Sequence, residues 1–189
     1  RTDELEAVLA ALKIERPILA GNSMGGATIL RWAARHPGEA AALVVSGMGV
    51  AAPGSSVQRE IKPLDQETLF LPIGASLTDR LRTERPRMYE RYLRIRSTAT
   101  RLEYMRHPRP RNPKTIRETE AIHDHLGMIS SPMLVIIGSL DGLVPNAQRL
   151  HQAVRHSSYV EIEGAPHNVY WEAAEEWNQA VDHFLAEAT

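Results

Sequence analysis

The sequence predicts an α/β fold, a mostly parallel sheet with helices on both faces. Three observations point there. Apolar runs at residues 18–20, 41–45 and 133–138 lack the polar alternation of a half-exposed strand, as expected of parallel strands buried on both faces. Helix-like segments separate the strands, which argues for crossover connections. At the first strand-to-helix junction stands Gly21-Asn22-Ser23-Met24-Gly25-Gly26, a turn suited to sharp reversal.

Taken in order, residues 3–13 read as an amphipathic helix. Leu5, Val8, Leu9 and Leu12 recur at helical spacing, with Asp3 and Glu4 in the first turn. Pro17 opens the first strand, where its missing N–H is tolerated. A second helix runs from the turn to about His36, and Pro37-Gly38 ends it. Residues 41–45 form the next strand, closed by Ser46-Gly47. The strong strand at 133–138 is followed by a loop containing Asp141 and Pro145, then a helix at about 146–156. Tyr159 to Ile162 alternates as a strand, and a loop carries His167. The last helix covers about 172–187, with Trp177, Ala180, Val181 and Phe184 on one face.

Residues 51–127 break this rhythm. They show no buried-strand run, and helical patterns at 78–106 and 114–127 replace it. Charge shifts as well: residues 59–117 hold 15 Lys and Arg against 7 Asp and Glu, whereas the rest of the chain holds 7 against 16. The expected organisation is a core made of residues 1–50 and 128–189, with 51–127 as a helical insertion lying over the site.

The turn at residues 21–26 carries the chemistry. A serine on a tight strand–turn–helix bend stands exposed above the sheet, and its strained backbone needs small neighbours, a role for Gly21 and Gly25. The Met24 N–H lies at the positive end of the following helix and is placed to donate to an oxyanion. A serine hydroxyl needs a base, and the base needs an orienting carboxylate. Such groups sit beyond the carboxyl ends of strands in open sheets. Ser23, Asp141 and His167 each follow a strand, in the chain order this type of turn expects. Asp124 is a rival acid, but it follows a helical pattern.

With those residues in hand, the chain resembles the α/β-hydrolase superfamily over nearly its whole length. The resemblance implies an α/β-hydrolase fold with a variable cap at 51–127. It implies Ser23 as nucleophile, Asp141 as orienting acid, His167 as general base and the Met24 N–H as one oxyanion donor. The run Gly-Asn-Ser-Met-Gly-Gly-Ala is similar to that of C–C bond hydrolases acting on ring-fission products. That similarity implies Asn22 as a substrate contact. It departs from them after the histidine, where Asn168 stands in place of an aromatic residue. The superfamily also places several strands, and the loop giving a second oxyanion N–H, before the first helix seen here. The expectation is therefore an N-terminally truncated core whose first strand has an unpaired edge.

Other functions are disfavoured. The chain of 189 residues has no cysteine, which removes disulfides, thiolate zinc sites and a cysteine nucleophile. His123-Asp124-His125 suggests a metal, but side chains two apart do not share a helix face, so no metal or cofactor is expected. Net charge is -1 and no nucleic-acid motif is present. No apolar run approaches a membrane span. The expectation is a cytoplasmic hydrolase of a small-molecule substrate, cleaving an ester or related carbonyl compound, without nucleic-acid or membrane partners; the alternatives are a C–C bond hydrolase of ring-fission products and a non-catalytic module of the same fold.

Overall fold

The structure is a computed structural model that describes residues 1–52, 76–99 and 122–188. The chain divides into two compact units, Arg1–Gly54 with Arg117–Thr189, and Ser55–Ile116.

The first unit is built on four parallel strands, β1 (Ile18–Asn22), β2 (Ala42–Ser46), β3 (Met133–Gly138) and β4 (Ser157–Ile162), lying side by side in chain order. Register pairs Asn22 with Ser46, Ser46 with Ile136 and Gly138 with Ile162. Helices α1 (Thr2–Leu12), α2 (Met24–Arg35) and the later α5 (Val144–Ala153) belong to one layer. On β2 and β3, Leu43, Val45, Met133, Val135 and Ile137 face that layer, packing with Leu30, Trp32 and Leu150. The alternate residues Ala42, Val44, Leu134 and Ile136 face α7 (Ala174–Ala188), packing with Phe184. Two apolar faces explain why these two runs carry no polar residue until Ser46. Trp177, Ala180, Val181 and Phe184 share the inward face of α7, as their spacing predicts.

Two apolar segments differ from expectation. β1 is buried on one face only: Leu19 is buried, but Ile18 is 50% exposed. α7 packs on β2, β3 and β4, and β2 is the described neighbour of β1. In α1, Leu9 is buried and Leu5 partly so, whereas Val8 is 52% and Leu12 65% exposed. α1 packs against α2, and a single helix covers a narrower stripe than a sheet does. Polar ties set that contact. Arg35 Nη1 donates to Asp3 Oδ1 at 2.7 Å and to Glu6 Oε1 at 3.3 Å, and the His36 ring, stacked on Trp32, meets Glu6 Oε1 at 3.2 Å.

In the second unit, the described residues form α3 (Asp79–Glu84) and α4 (Pro86–Ala99). The Thr78 hydroxyl caps α3 by accepting the Leu81 N–H at 3.3 Å. The helix expected over 78–106 is broken at Arg85, because a residue before proline is pushed out of the α region. Residues 100–121 lie outside the described residues, so the helical pattern at 114–127 meets the structure only in part. Its end forms a 3₁₀ turn at His123–Met128. Between the core strand β4 and α7 lies a one-turn helix, α6 (Val169–Glu172).

Candidate active site

Because all four strands are parallel, their carboxyl ends share one edge of the sheet. Ser23 follows β1, Gly47 follows β2, Asp141 lies three residues beyond β3, and His167 lies in the loop after β4.

Ser23 has φ 52° and ψ -111°, a combination that side-chain-bearing residues rarely adopt. Two backbone hydrogen bonds hold it there. Its N–H donates to Ser46 O at 2.8 Å, and its carbonyl accepts from Ala27 N at 3.1 Å as the N-cap of α2. Gly21 is required by the bend, since a Cβ on it would stand 2.4 Å from the Gly25 carbonyl carbon. The expectation for Gly25 itself is corrected: a Cβ there would meet open space, so the close passage depends on the first glycine. Met24 opens α2, where a backbone N–H has no intrahelical acceptor and the helix dipole is positive.

Asp141 is 8% exposed and both its oxygens are occupied. Oδ2 lies 2.7 Å from His167 Nδ1, and Oδ1 accepts the Leu143 N–H at 3.0 Å. A carboxylate only accepts, so the hydrogen bond assigns a proton to Nδ1, and in the neutral ring that tautomer leaves the lone pair on Nε2. The rival Asp124 sits exposed on the 3₁₀ turn. Three other described histidines have separate partners: His36 with Glu6 and Glu39, His151 with Ser157, His183 with Glu187. Among the described residues no group of three His, Cys, Asp or Glu side chains is arranged to hold a metal ion.

His167 is carried back across the sheet by its loop. Gly164, with φ 67°, donates its N–H to Ser139 Oγ at 2.8 Å, and Leu140 N–H donates to Ala165 O at 3.0 Å. The loop therefore lies over the end of β3 and reaches β2. There a Cβ on Gly47, whose φ is 53°, would stand 2.8 Å from His167 O and 2.7 Å from Asn22 Oδ1. The His167 backbone thus passes over Gly47 beside Asn22, the residue before Ser23. Asn22 Oδ1 is buried, and no described residue donates to it. From below, Trp177 Nε1 donates to Ser46 Oγ at 3.3 Å. Ser46, Gly47 and Trp177 are supporting residues that sequence reasoning read only as a strand end and a packing position. Their partners lie far away in the chain, His167 for Gly47 and Ser46 for Trp177, so no local pattern distinguishes them.

Tyr92 is buried in α4 and Tyr89 half-buried, whereas Tyr104 lies outside the described residues.

A family model described as the alpha/beta hydrolase fold matches residues 2–174. The chain is 29% identical over 200 residues to a 2-hydroxy-6-oxononadienedioate/2-hydroxy-6-oxononatrienedioate hydrolase of Paraburkholderia xenovorans, covering 96% of this chain. It spans 66% of the length of that relative. Among solved structures, the enol-lactonase from Burkholderia xenovorans superposes with TM-score 0.75 at 22% identity, over 98% of this chain and 71% of that one. Est816, described as an N-acyl homoserine lactone degrading enzyme, gives TM-score 0.73 at 24% identity, over 97% and 73%. At these identities the likeness to solved structures is one of fold.

Proposed function

This chain belongs to the α/β-hydrolase fold family, and from that premise we propose that it acts as a serine hydrolase on a small ester or related carbonyl substrate. The observation that carries the reading is the 2.7 Å His167–Asp141 pair, at the same sheet edge as a serine held in strained backbone. In the proposed reaction His167 Nε2 takes the proton of Ser23 Oγ as the oxygen bonds to the substrate carbonyl carbon. The Met24 N–H donates to the oxyanion. Collapse breaks the carbon–oxygen bond, His167 returns the proton to the departing alcohol, and water then cleaves the acyl-enzyme by the same steps. Asp141 stays ionised and keeps the imidazole in one tautomer. The reading includes the 51–127 segment as a cap, a small-molecule substrate and a cytoplasmic setting. Among the described residues no helix is long and apolar enough to cross a membrane.

A second reading is C–C bond hydrolysis. It is supported by the similarity to the nonadienedioate hydrolase and by Asn22, whose buried Oδ1 lacks a described donor. Such an oxygen suits a substrate hydroxyl, and leaving it unmatched is unfavourable. Comparing turnover of an aryl ester with that of a vinylogous 1,5-diketone acid separates the readings.

The hydrolase reading is tested by incubating the chain with a fluorophosphonate and measuring intact mass. One adduct is expected, absent in Ser23→Ala and formed about 10³–10⁴-fold more slowly in Asp141→Asn. Asp124→Asn should label at the parent rate. An adduct that persists in Ser23→Ala, or no adduct on the parent, defeats the proposal.

A further inference from the structure

Residues 47–50 form a strap between the candidate site and the first turn of α5. Its near end is Gly47, against Asn22 and His167. Its far end is Val50, a buried residue whose two backbone groups are both held. The Val50 N–H donates to Asn146 O at 3.0 Å, and its carbonyl accepts from Arg149 Nε at 3.3 Å. Arg149 Nη2 also donates to Asn146 Oδ1 at 2.6 Å. One guanidinium therefore bridges the strap and the helix. Midway, Gly49 lies so close to α5 that a Cβ would stand 2.1 Å from the Asn146 carbonyl carbon.

The loop that enters the same helical turn carries the acid. Asp141 Oδ1 accepts the Leu143 N–H, and the Asn146 and Ala147 N–H groups both donate to Leu143 O at 2.9 Å. Asp141 and Val50 are thus fixed to one structural unit. Arg149 is the side chain that closes it.

Resting on the serine-hydrolase reading, we infer that Arg149 is a positioning residue: by holding Val50 to α5 it keeps the 47–50 strap, and through Gly47 the His167 loop, in place. The chemistry explains the residue type. The acceptors are neutral, the Val50 carbonyl and the Asn146 amide oxygen, so charge pairing is not the role. A planar fork serves two acceptors at fixed spacing, whereas the point charge of lysine on a flexible stem serves one at a time.

The test uses the whole chain, its Arg149→Met, Arg149→Lys and Asn146→Asp variants, and two readouts. Amide hydrogen exchange is followed by mass spectrometry over 47–50 and, as an internal standard of folding, over 133–138. Labelling of Ser23 by a fluorophosphonate is followed in parallel. In Arg149→Met, exchange at 47–50 should rise roughly tenfold with 133–138 unchanged, and labelling should slow roughly tenfold. Asn146→Asp keeps an acceptor for Arg149 and should stay within about threefold of the parent in both. Unchanged exchange at 47–50 overturns the clamp. Faster exchange with labelling at the parent rate overturns its link to the site. If Arg149→Met also loosens 133–138, the decision passes to Arg149→Lys. There, about threefold slower labelling with intact 133–138 supports the inference, and the parent rate overturns it. A parent chain that does not label at all defeats the hydrolase reading instead, and exchange at 47–50 still decides whether Arg149 holds the strap.

Discussion

Replacing Gly47 with alanine tests how the His167 loop is seated, and Gly164→Ala is its control. Both glycines have positive φ, 53° and 67°. Each alanine therefore incurs about 1–2 kcal/mol of left-handed backbone strain. Their surroundings differ. A Cβ at Gly164 meets open space, whereas one at Gly47 would lie 2.8 Å from His167 O and 2.7 Å from Asn22 Oδ1. Carbon–oxygen approaches of about 3.3 Å are already close, so the loop must retreat by about half an ångström. Overpacking of that kind adds roughly 1–3 kcal/mol. The expected losses are about 2–5 kcal/mol for Gly47→Ala and about 1–2 kcal/mol for Gly164→Ala. At roughly 2–4 °C per kcal/mol for a chain of this size, thermal midpoints should fall by about 4–20 °C and 2–8 °C. Stability and reactivity should separate the pair further. A displaced imidazole should slow fluorophosphonate labelling of Ser23 about 10–100-fold in Gly47→Ala, with Gly164→Ala close to the parent. Differential scanning calorimetry and intact-mass kinetics on both variants provide the measurement. Equal midpoint shifts together with equal labelling rates would refute the seating of His167 on Gly47.

The unequal burial along α1 predicts that Leu9→Ala costs about 2–4 kcal/mol, while Leu12→Ala stays within about 0.5 kcal/mol. Urea midpoints at unchanged m-value check this, and equal losses would contradict the observed orientation of the helix. At Tyr159, burial first and then the 2.6 Å hydrogen bond to Glu161 push the phenol up from 10.0 to about 12. The folded chain keeps that proton where the unfolded chain has lost it, so the associated stability is intact below pH 10 and declines as pH rises from 10 towards 12. Urea midpoints of Tyr159→Phe should fall less over that window than those of the parent, and parallel curves would exclude the linkage.

Sequence alone determined the fold class and the position of its central strands. Residues 133–138 and 42–45 are apolar on both faces because helices cover both sides of β2 and β3, and that requirement is written into each residue of the run. The elbow was equally legible, since Gly21 must lack a side chain for Ser23 to take its strained turn. Chain order and post-strand placement also singled out Asp141 over Asp124 as the neighbour of His167.

Local pattern could not show which face of α1 would be buried. Its apolar stripe is wider than the contact that α2 offers. Nor could it show that β1 would bury one face only, because that depends on where α7 ends its contact with the sheet. The break at Arg85 was available in Pro86 but hidden by the helical periodicity around it. The seating of His167 was decided by tertiary structure alone. It arises from the loop after β4 crossing to the end of β2, where Gly47 leaves room for a carbonyl from a residue 120 positions away. The Arg149 bridge, which joins residues 99 apart in the chain, belongs to the same class. Propensity and periodicity report on neighbours within a few residues, whereas contacts of this kind exist only once the sheet has brought its strand ends to one edge.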